Sequence, residues 1–192
     1  MFHSIIEDCD FLFEVEIKAY LDDYILVENQ LQQLGAVFEK TIPQSDTYFQ
    51  HPIRNFAQTD EALRIRISDK NSYLTYKGAK VDSSTKTREE LELAIPEPDK
   101  LNAILKKIGF SPVMTVKKTR KKYILDEIKI SIDMVEGLGN FIEFELDVSE
   151  KEHIQSARER LFSLLKRLNI PNEKLERRSY LELLFLKMLK KL

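Results

Sequence analysis

Three charged residues alternate with apolar ones near the start of this chain of 192 residues. Glu14, Glu16 and Lys18 are separated by Val15 and Ile17. A period of two is typical of a β-strand, in which successive side chains point to opposite faces, so the three charged groups share one face. Carboxylates at positions i and i+2 of a strand lie about 6–7 Å apart along it. This spacing suits oxygen ligation of a hard cation such as Mg²⁺ or Mn²⁺.

The same alternation recurs along most of the later strand candidates. Their charged positions are Arg64 and Arg66, Lys77, Arg88, Glu90 and Glu92, Lys118, Arg120 and Lys122, Asp133, and Glu143 and Glu145. The guanidinium and ammonium groups of this set supply the forked and point-charge donors that bind phosphate oxygens. Carboxylates and cations on shared faces therefore indicate a site for a polyphosphate that is bound together with a metal ion.

The pattern alone leaves two arrangements of such a sheet open. An antiparallel sheet with a charged face on every strand can keep one face in water, or it can close into a barrel with a polar lumen. The opposite faces are strongly apolar, as in Leu63, Ile65 and Ile67. If the predicted helices cover these apolar faces, the charged faces must point inward.

The remaining pattern of the chain predicts the elements that position these residues. Strands are predicted at residues 11–19, 36–49 with an interruption near Pro43, 62–67, 73–77, 87–95, 114–125, 128–135 and 141–148. Helices are predicted at residues 22–34, 99–108, 149–168 and 171–192, and loops at residues 51–59 and 78–86. Within the first helix, the predicted apolar stripe consists of Ile25, Leu26, Leu31 and Leu34.

Composition is typical of a globular protein with one domain. A chain of 192 residues with 43% hydrophobic residues is long enough for a substantial core. The net charge of −2 favours neither nucleic acid nor an anionic membrane, and we expect neither as a partner. A single cysteine, Cys9, excludes an intramolecular disulfide framework, and no signal peptide or membrane-spanning run is recognisable. We therefore expect a location in the reducing cytoplasm.

The ordered set of charged strands resembles the CYTH superfamily, whose members are triphosphate tunnel enzymes. The superfamily signature E-x-E-x-K matches Glu14, Glu16 and Lys18. The similarity continues at residues 59–66, 74–78, 88–92 and 118–120, at Asp133 with the following Gly137-Leu138-Gly139 and Glu143, and at Ser179-Tyr180. It covers about residues 11–180 of a single domain spanning 1–192, with a C-terminal helix over 173–192. Residues 46–49 and 59–66 are most similar to class IV (CyaB-type) adenylyl cyclases.

This resemblance implies an α+β fold: an eight-stranded antiparallel β-barrel, the triphosphate tunnel, with helices packed outside. It implies an enzyme that uses Mg²⁺ or Mn²⁺ to convert ATP to cyclic AMP and pyrophosphate, with a homodimer as one possible assembly. Close relatives include inorganic and thiamine triphosphatases, so hydrolysis of a metal-bound triphosphate is the alternative. A module that binds polyphosphate or a nucleotide without catalysis is a second alternative.

The resemblance also implies a role for each matching residue. Triphosphate binding is predicted for Lys18, Arg64, Arg66, Lys77, Arg88, Lys118 and Arg120. Metal binding is predicted for Glu14, Glu16, Asp133, Glu143 and Glu145. Catalysis by positioning and charge neutralisation is predicted for Lys118, Arg120 and Asp133. Glu90 and Glu92 have two open roles, either metal binding or the orientation of lumen arginines, and no residue of an adenine pocket is predicted.

Overall fold

A computed structural model of the protein describes residues 13–79 and 88–190. The strands are β1 Phe13–Leu21, β2 Val37–Gln50, β3 Ala62–Ser68, β4 Asn71–Lys77, β5 Arg88–Ala94, β6 Ser111–Leu125, β7 Ile128–Val135 and β8 Gly139–Val148. They close into an antiparallel barrel in the order β1-β5-β4-β3-β2-β6-β7-β8. The predicted eight-stranded barrel is confirmed, and the open sheet with one face in water is excluded.

The α-helices of the described residues lie outside the lumen of the barrel. They are α1 Tyr24–Gln33, α2 Phe56–Thr59, α3 Pro98–Lys107, α4 Ile154–Arg167 and α5 Tyr180–Leu189. Among the helices in the described part of the chain, none has the length and apolar character needed to span a membrane. The helices instead determine which face of each strand is buried on the outside.

Strand register places the charged faces inside the barrel. Glu16 lies opposite Glu145 where β1 pairs with β8, and Arg120 lies opposite Asp133 where β6 pairs with β7. Residues directly opposite one another in an antiparallel pair point to the same face of the sheet. The charged residues therefore share one side around the barrel, and the alternating residues, such as Ile17, point outward.

The largest apolar core lies outside the barrel wall, under α1 and α4. Ile17, Ile132 and Phe144 of the strands pack there with Leu31 of α1 and Leu161 of α4, and each is at most 3% exposed. Burying such a side chain stabilises the fold by about 1.5–3 kcal/mol. Because side chains alternate along a strand, this outer core forces the charged positions of β1, β7 and β8 into the lumen.

A second apolar cluster fixes the orientation of β3. Leu63 and Ile65 pack outward with Phe56 of α2 and Leu105 of α3, and all four are buried. The alternation then turns the intervening Arg64 into the lumen. The cationic wall of the lumen is thus positioned by apolar contacts on the opposite side of the strand.

Part of the apolar stripe predicted for α1 is wrong. Ile25 and Leu26 are 57% and 56% exposed, whereas Leu31 is buried together with Val27. Val27 and Leu31 are four residues apart and lie on one face of the helix. Packing that face on the barrel turns Ile25 and Leu26 towards solvent.

The interruption predicted at Pro43 is also wrong, because β2 runs through this residue. β3 pairs with β2 only from Gln44 onward, while β6 pairs along both halves of β2. The missing N–H of Pro43 therefore removes no ladder bond to β3. The continuous strand places Gln44, Asp46 and Tyr48 in series on its inward face.

The chain after α4 differs from the continuous helix predicted at the C-terminus. A 3₁₀ turn, Asn172–Lys174, and an extended segment precede α5. In that segment the Glu176 N–H donates to the Lys18 carbonyl at 2.8 Å, which holds the chain along β1. α5 then begins after Ser179, whose side chain caps the helix. The extended segment delivers the start of α5 to one end of the barrel.

Two smaller differences concern loops and helix ends. The helix predicted from residue 149 starts as a 3₁₀ turn, Lys151–His153, before α4. The loop predicted at residues 51–59 contains α2. The parts of the predictions that fall on residues 11–12, 80–87 and 191–192 lie outside the described residues.

Candidate active site

The barrel encloses a cavity of about 1180 Å³, here called the lumen, which side chains from all eight strands line. The predicted site residues that line it are Glu14, Glu16, Lys18, Arg64, Arg66, Lys77, Arg88, Lys118, Arg120, Glu143 and Glu145. Asp133 has no exposed surface and lies behind this layer. The fold therefore brings the predicted phosphate-binding residues and the predicted metal ligands together around one cavity.

Asp133 fixes three side chains of the lumen wall. Arg120 donates through Nε to Oδ1 at 2.7 Å and through Nη2 to Oδ2 at 2.5 Å. Lys118 Nζ and the Tyr180 hydroxyl each donate to Oδ2 at 2.9 Å. Burial alone would raise the pKa of Asp133, but Arg120 and Lys118 hold it below its usual value. These contacts fit the predicted positioning role, whereas metal binding would require Asp133 to share its oxygens with a third cation.

Asp46 has a matching role across the lumen that the sequence reasoning did not assign. Arg66 donates to its two carboxylate oxygens at 2.7 and 2.6 Å, and Arg64 Nη1 lies 3.4 Å from Oδ2. Burial opposes ionisation of Asp46, but Arg64 and Arg66 together hold its pKa well below the usual range. The sequence did contain a signal for this role. Asp46 belongs to a segment that resembles the family, and it lies two residues from Tyr48, on the same face of the strand.

Tyr180 is a second residue whose contacts sequence reasoning missed. Its ring centroid lies 4.1 Å from Lys18 Nζ and 4.9 Å from Lys118 Nζ, and its ring packs on Phe141. Lys18 Nζ also donates to the Arg178 carbonyl at 2.5 Å. The start of α5 thus forms part of the lumen wall and orients two of the predicted phosphate-binding lysines.

The Lys118 ammonium has an unusual environment for a lysine. Burial, and then the neighbouring Arg120, lower its pKa to about 8, although Asp133 and Glu143 oppose the shift. Its positive charge is therefore retained at neutral pH and lost at mildly alkaline pH.

The β1 and β8 side of the lumen carries closely spaced carboxylates. Burial, and then the charge of Glu14, raise the pKa of Glu145 to about 7, with Glu16 acting in the same direction and Lys129 opposing. Burial also raises the pKa of Glu14, against the effect of Lys77. This side therefore holds more negative charge than its own cations offset.

The carboxylates on this side fit a divalent cation. Glu14, Glu16 and Glu145 supply hard oxygen donors of the kind that Mg²⁺ and Mn²⁺ prefer. The raised pKa values of Glu14 and Glu145 show where an added positive charge would be most stabilising. Within residues 13–79 and 88–190 no three acidic, histidine or cysteine side chains already stand close enough to form a metal site. Side-chain adjustment would therefore accompany binding.

Glu90 and Glu92, whose roles were left open, contact other lumen side chains. Glu90 accepts a hydrogen bond from Lys77 and lies 3.6 Å from Arg64 Nη2. The Thr75 hydroxyl donates to Glu92 at 2.9 Å. For Glu90, these contacts match the orientation of lumen cations.

The lumen continues past its charged wall to an apolar mouth beside α5. Leu181, Phe185, Leu186 and Leu189 line the same cavity as the charged residues. Phe185 and Leu189 are 46% and 60% exposed. Exposed apolar side chains at the opening of a polar cavity are suited to contact an aromatic or apolar group of a ligand.

A closed antiparallel barrel with cations and carboxylates lining its lumen defines a triphosphate tunnel. The CYTH domain model matches residues 12–180 of the chain. The chain belongs to this family, whose members bind triphosphates and generally use divalent metals.

Relatives with similar sequences cover nearly the whole chain. It is 45% identical over 172 residues to "Putative adenylate cyclase MJ0240" of Methanocaldococcus jannaschii. The aligned region covers 90% of this chain and 98% of that protein. It is 27% identical over 171 residues to "Adenylate cyclase CyaB" of Aeromonas hydrophila. This alignment covers 88% of this chain and 86% of that protein. The solved structure of the PH1819 protein from Pyrococcus horikoshii OT3 is similar with a TM-score of 0.85 at 44% identity, over 91% of this chain and 99% of that one.

Proposed function

We propose that this protein is a divalent-metal-dependent adenylyl cyclase that converts ATP to cyclic AMP and pyrophosphate. The observation that carries the proposal is the continuity of the charged lumen with the apolar mouth at α5. A triphosphate fits the charged part, and an adenine ring attached to it would extend towards Phe185 and Leu189. The names of two relatives support the same reaction.

The triphosphate-binding role falls to cations that are already oriented. Lys18, Arg64, Arg66, Lys77, Arg88, Lys118 and Arg120 would contact the phosphate oxygens. Arg66 and Arg120 each hold a forked contact with a buried aspartate, so their side chains need little rearrangement when substrate enters. Such fixed donors stabilise developing charge without a cost of reorganisation during the reaction.

Metal binding falls to Glu14, Glu16 and Glu145, with Glu143 at the border between the two sides. When bound, the metal would supply charge neutralisation at the phosphate oxygens. Glu143 also accepts a hydrogen bond from Arg120, so it links the carboxylates to the cations. Asp133 keeps its predicted catalytic role, which is to orient Lys118 and Arg120.

The proposed chemistry is an in-line displacement at the α-phosphorus. The ribose 3′-hydroxyl forms a new bond to phosphorus, and the bond from phosphorus to the oxygen of the β-phosphate breaks. The hydroxyl proton is released and pyrophosphate leaves with the electron pair. The lumen cations hold the three phosphates in one conformation and offset the charge that develops on the leaving oxygens.

Hydrolysis of a triphosphate is the second candidate. The observation that favours it is that the charged groups of the lumen are suited to phosphate and metal and do not themselves distinguish an attached base from none. In that reaction water attacks the terminal phosphorus, and the apolar mouth is not needed. The two candidates therefore differ in whether α5 contributes to turnover.

Product identification decides between these candidates. The pure protein would be incubated with ATP, inorganic triphosphate or thiamine triphosphate in the presence of Mg²⁺ or Mn²⁺. We expect cyclic AMP and pyrophosphate from ATP, with loss of both products in Lys118→Ala and Arg120→Ala. Formation of only ADP and phosphate, or a strong preference for inorganic triphosphate, would reject cyclisation in favour of hydrolysis. An absence of turnover for all three substrates would favour a binding module.

A cytoplasmic location and a homodimer remain proposals that accompany this function. Sedimentation of the full chain at several concentrations tests the dimer, and fractionation of source cells tests the location.

A further inference from the structure

A smaller cavity of about 150 Å³ opens at the end of the barrel that lies away from Tyr180. We call it the distal cavity. It is lined by residues that it shares with the lumen and by Lys40, Ile42, Gln44, Ser68, Asp69, Asn71 and Tyr73. The shared residues are Arg66, Glu92 and Lys122. The distal cavity therefore adjoins the lumen at these three side chains.

Two lysines face each other at this opening. Lys40 of β2 is the register partner of Lys122 of β6, and both line the distal cavity. In the part of the chain that the structure describes, neither lysine has a carboxylate within salt-bridge distance, whereas Lys118 and Lys129 do. Like charges directly opposite one another in a sheet are destabilising. An anion between Lys40 and Lys122 would remove this repulsion.

The surroundings of Lys122 agree with this charge imbalance. Burial, and then Arg120 and Lys40, lower the pKa of Lys122, while Glu39 and Glu145 oppose the shift only in part. The net shift shows that the environment disfavours the charged form of the lysine. A bound anion would reverse that preference.

Gln44 adds a polar group that is buried and incompletely bonded. It is 6% exposed, its Nε2 donates to Ser68 Oγ at 3.1 Å, and its Oε1 has no hydrogen-bond partner among the described residues. The Ser68 hydroxyl can also donate, so turning the amide over preserves this bond and frees Nε2 as a donor. Such a donor beside two lysines suits an anionic oxygen.

The acidic residues of the distal cavity do not form ion pairs with Lys40 or Lys122 among the described residues, so both lysines can bind an anion. The Glu92 carboxylate accepts the Thr75 hydroxyl on β4, across the barrel from β6. Asp69 is exposed at the turn after β3. Arg66 is paired with Asp46 and is assigned above to the triphosphate of the lumen, so Lys40, Lys122 and Gln44 are the groups of this cavity that remain for a second ligand.

We propose that the distal cavity is a second phosphate-binding site, which takes an inorganic phosphoryl anion between Lys40 and Lys122. The proposal rests on the proposed function, because ATP held with its base at the α5 mouth directs its leaving group towards the opposite end. The anion is then either released pyrophosphate or the terminal phosphate of a chain longer than a triphosphate. Both share the charged oxygens that the two lysines and the Gln44 amide recognise.

Calorimetric titration of a filled lumen tests this site. The full chain would be saturated with Mn²⁺ and the uncleavable α,β-methylene analogue of ATP, and then titrated with pyrophosphate. We expect one further equivalent to bind. Loss of two charge-assisted contacts in Lys40→Gln/Lys122→Gln should weaken this binding by about tenfold or more. The matched control is Lys106→Gln/Lys117→Gln, which removes two exposed lysines outside the lumen and should bind as the unmodified protein does.

A second arm distinguishes the two sources of the anion. Inorganic tetraphosphate would be compared with inorganic triphosphate on the otherwise empty protein. Tighter binding of the longer chain that disappears in Lys40→Gln/Lys122→Gln assigns the site to a terminal phosphate, and pyrophosphate binding beside the analogue assigns it to the leaving group. Absence of both effects, or equal binding by the variant and the unmodified protein, overturns the proposal.

The same design separates this proposal from the proposed function. If ATP proves not to be a substrate, a methylene-bridged, uncleavable analogue of inorganic triphosphate replaces the ATP analogue as the occupant of the lumen, and pyrophosphate is titrated in the same way. Circular dichroism and thermal unfolding of both double variants establish that any loss of binding does not come from loss of the fold.

Discussion

The two sides of the lumen differ in the direction in which the pKa values of their buried carboxylates are shifted. On the side of β2, β3, β6 and β7, each of two buried aspartates, Asp46 and Asp133, is matched by two cations, and the pKa of each aspartate is lowered. On the side of β1 and β8, Glu14 and Glu145 have raised pKa values because burial and neighbouring carboxylates dominate. The first side is compensated within the protein, whereas on the second side the pKa values of Glu14 and Glu145 stay raised although Lys77 and Lys129 contact these carboxylates.

This difference explains how one barrel can bind both an anion and a metal. Paired cations keep their positions in the absence of substrate, so they form a fixed set of phosphate donors. Crowded carboxylates would lose part of their mutual repulsion when a cation binds. A triphosphate with its divalent ion would therefore complete both sides at once.

The largest expected effect is on the compensated side, in Asp133→Asn. The change leaves Arg120 and Lys118 buried without their shared carboxylate, and breaking such a buried pair costs about 3–5 kcal/mol. Urea unfolding monitored by circular dichroism should show this loss in the free energy of unfolding. Asp126→Asn, in the exposed turn between β6 and β7, is the matched control and should change it by less than about 0.5 kcal/mol. A stability of Asp133→Asn equal to that of the control would contradict the positioning role.

The next effect is on the uncompensated side, in Glu16→Gln. The amide keeps the shape of the side chain but removes the charge that would bind a metal, so turnover should fall by about a hundredfold or more at a given metal concentration. The fold should persist, as seen by thermal unfolding. Metal titrations of activity provide the measurement, and Glu127→Gln, which is exposed after β6, is the control. An unchanged metal dependence would reject the assignment of Glu16.

The third prediction is that replacing a carboxylate on the side of β1 and β8 stabilises the protein, whereas Asp133→Asn destabilises it. The folded-state pKa of Glu145 is about 7 and lies above that of the unfolded chain, so the metal-free protein loses stability as pH rises between the two values. At pH 8 with chelator present, Glu145→Gln should therefore be more stable than the unmodified protein by about 1 kcal/mol. Thermal unfolding at pH 5 and pH 8 measures the difference, which should shrink at the lower pH. Destabilisation by Glu145→Gln at pH 8 would show that this side is compensated after all.

The smallest effect concerns the pH dependence of the compensated side. Because the pKa of Lys118 is about 8, its charge is present below that pH and is lost as pH rises through it. The value of kcat/KM should therefore decline above about pH 8, since this parameter reports ionisation in the free enzyme. In Lys118→Arg, which stays charged, the decline should move to higher pH. A decline at the same pH in both proteins would assign it to another group.

Local pattern was sufficient to predict which charged residues share a face, and the resemblance to the CYTH superfamily predicted that this face lines a barrel lumen. The period of two along β1 requires Glu14, Glu16 and Lys18 to share a face, and the apolar residues between them require the opposite face to be covered. The C-terminal helix was predicted less well, because the extended segment before Ser179 is stabilised by contacts with β1 and not by its own sequence. The exposed position of Ile25 was also not predicted, because helical propensity does not determine which face of a helix packs against the barrel.

The sequence by itself determined the set of charges and which of them share a strand face, because strand periodicity is a local property of the backbone. Only the tertiary structure decided which charges meet. Asp46 contacts Arg66 across 20 positions of sequence, and Asp133 contacts Tyr180 across 47. Such contacts depend on strand register, on barrel closure and on the path of the chain into α5, which are set by the packing of the whole fold. That packing separates a wall whose buried aspartates are matched by cations from a wall whose Glu14 and Glu145 carboxylates have raised pKa values.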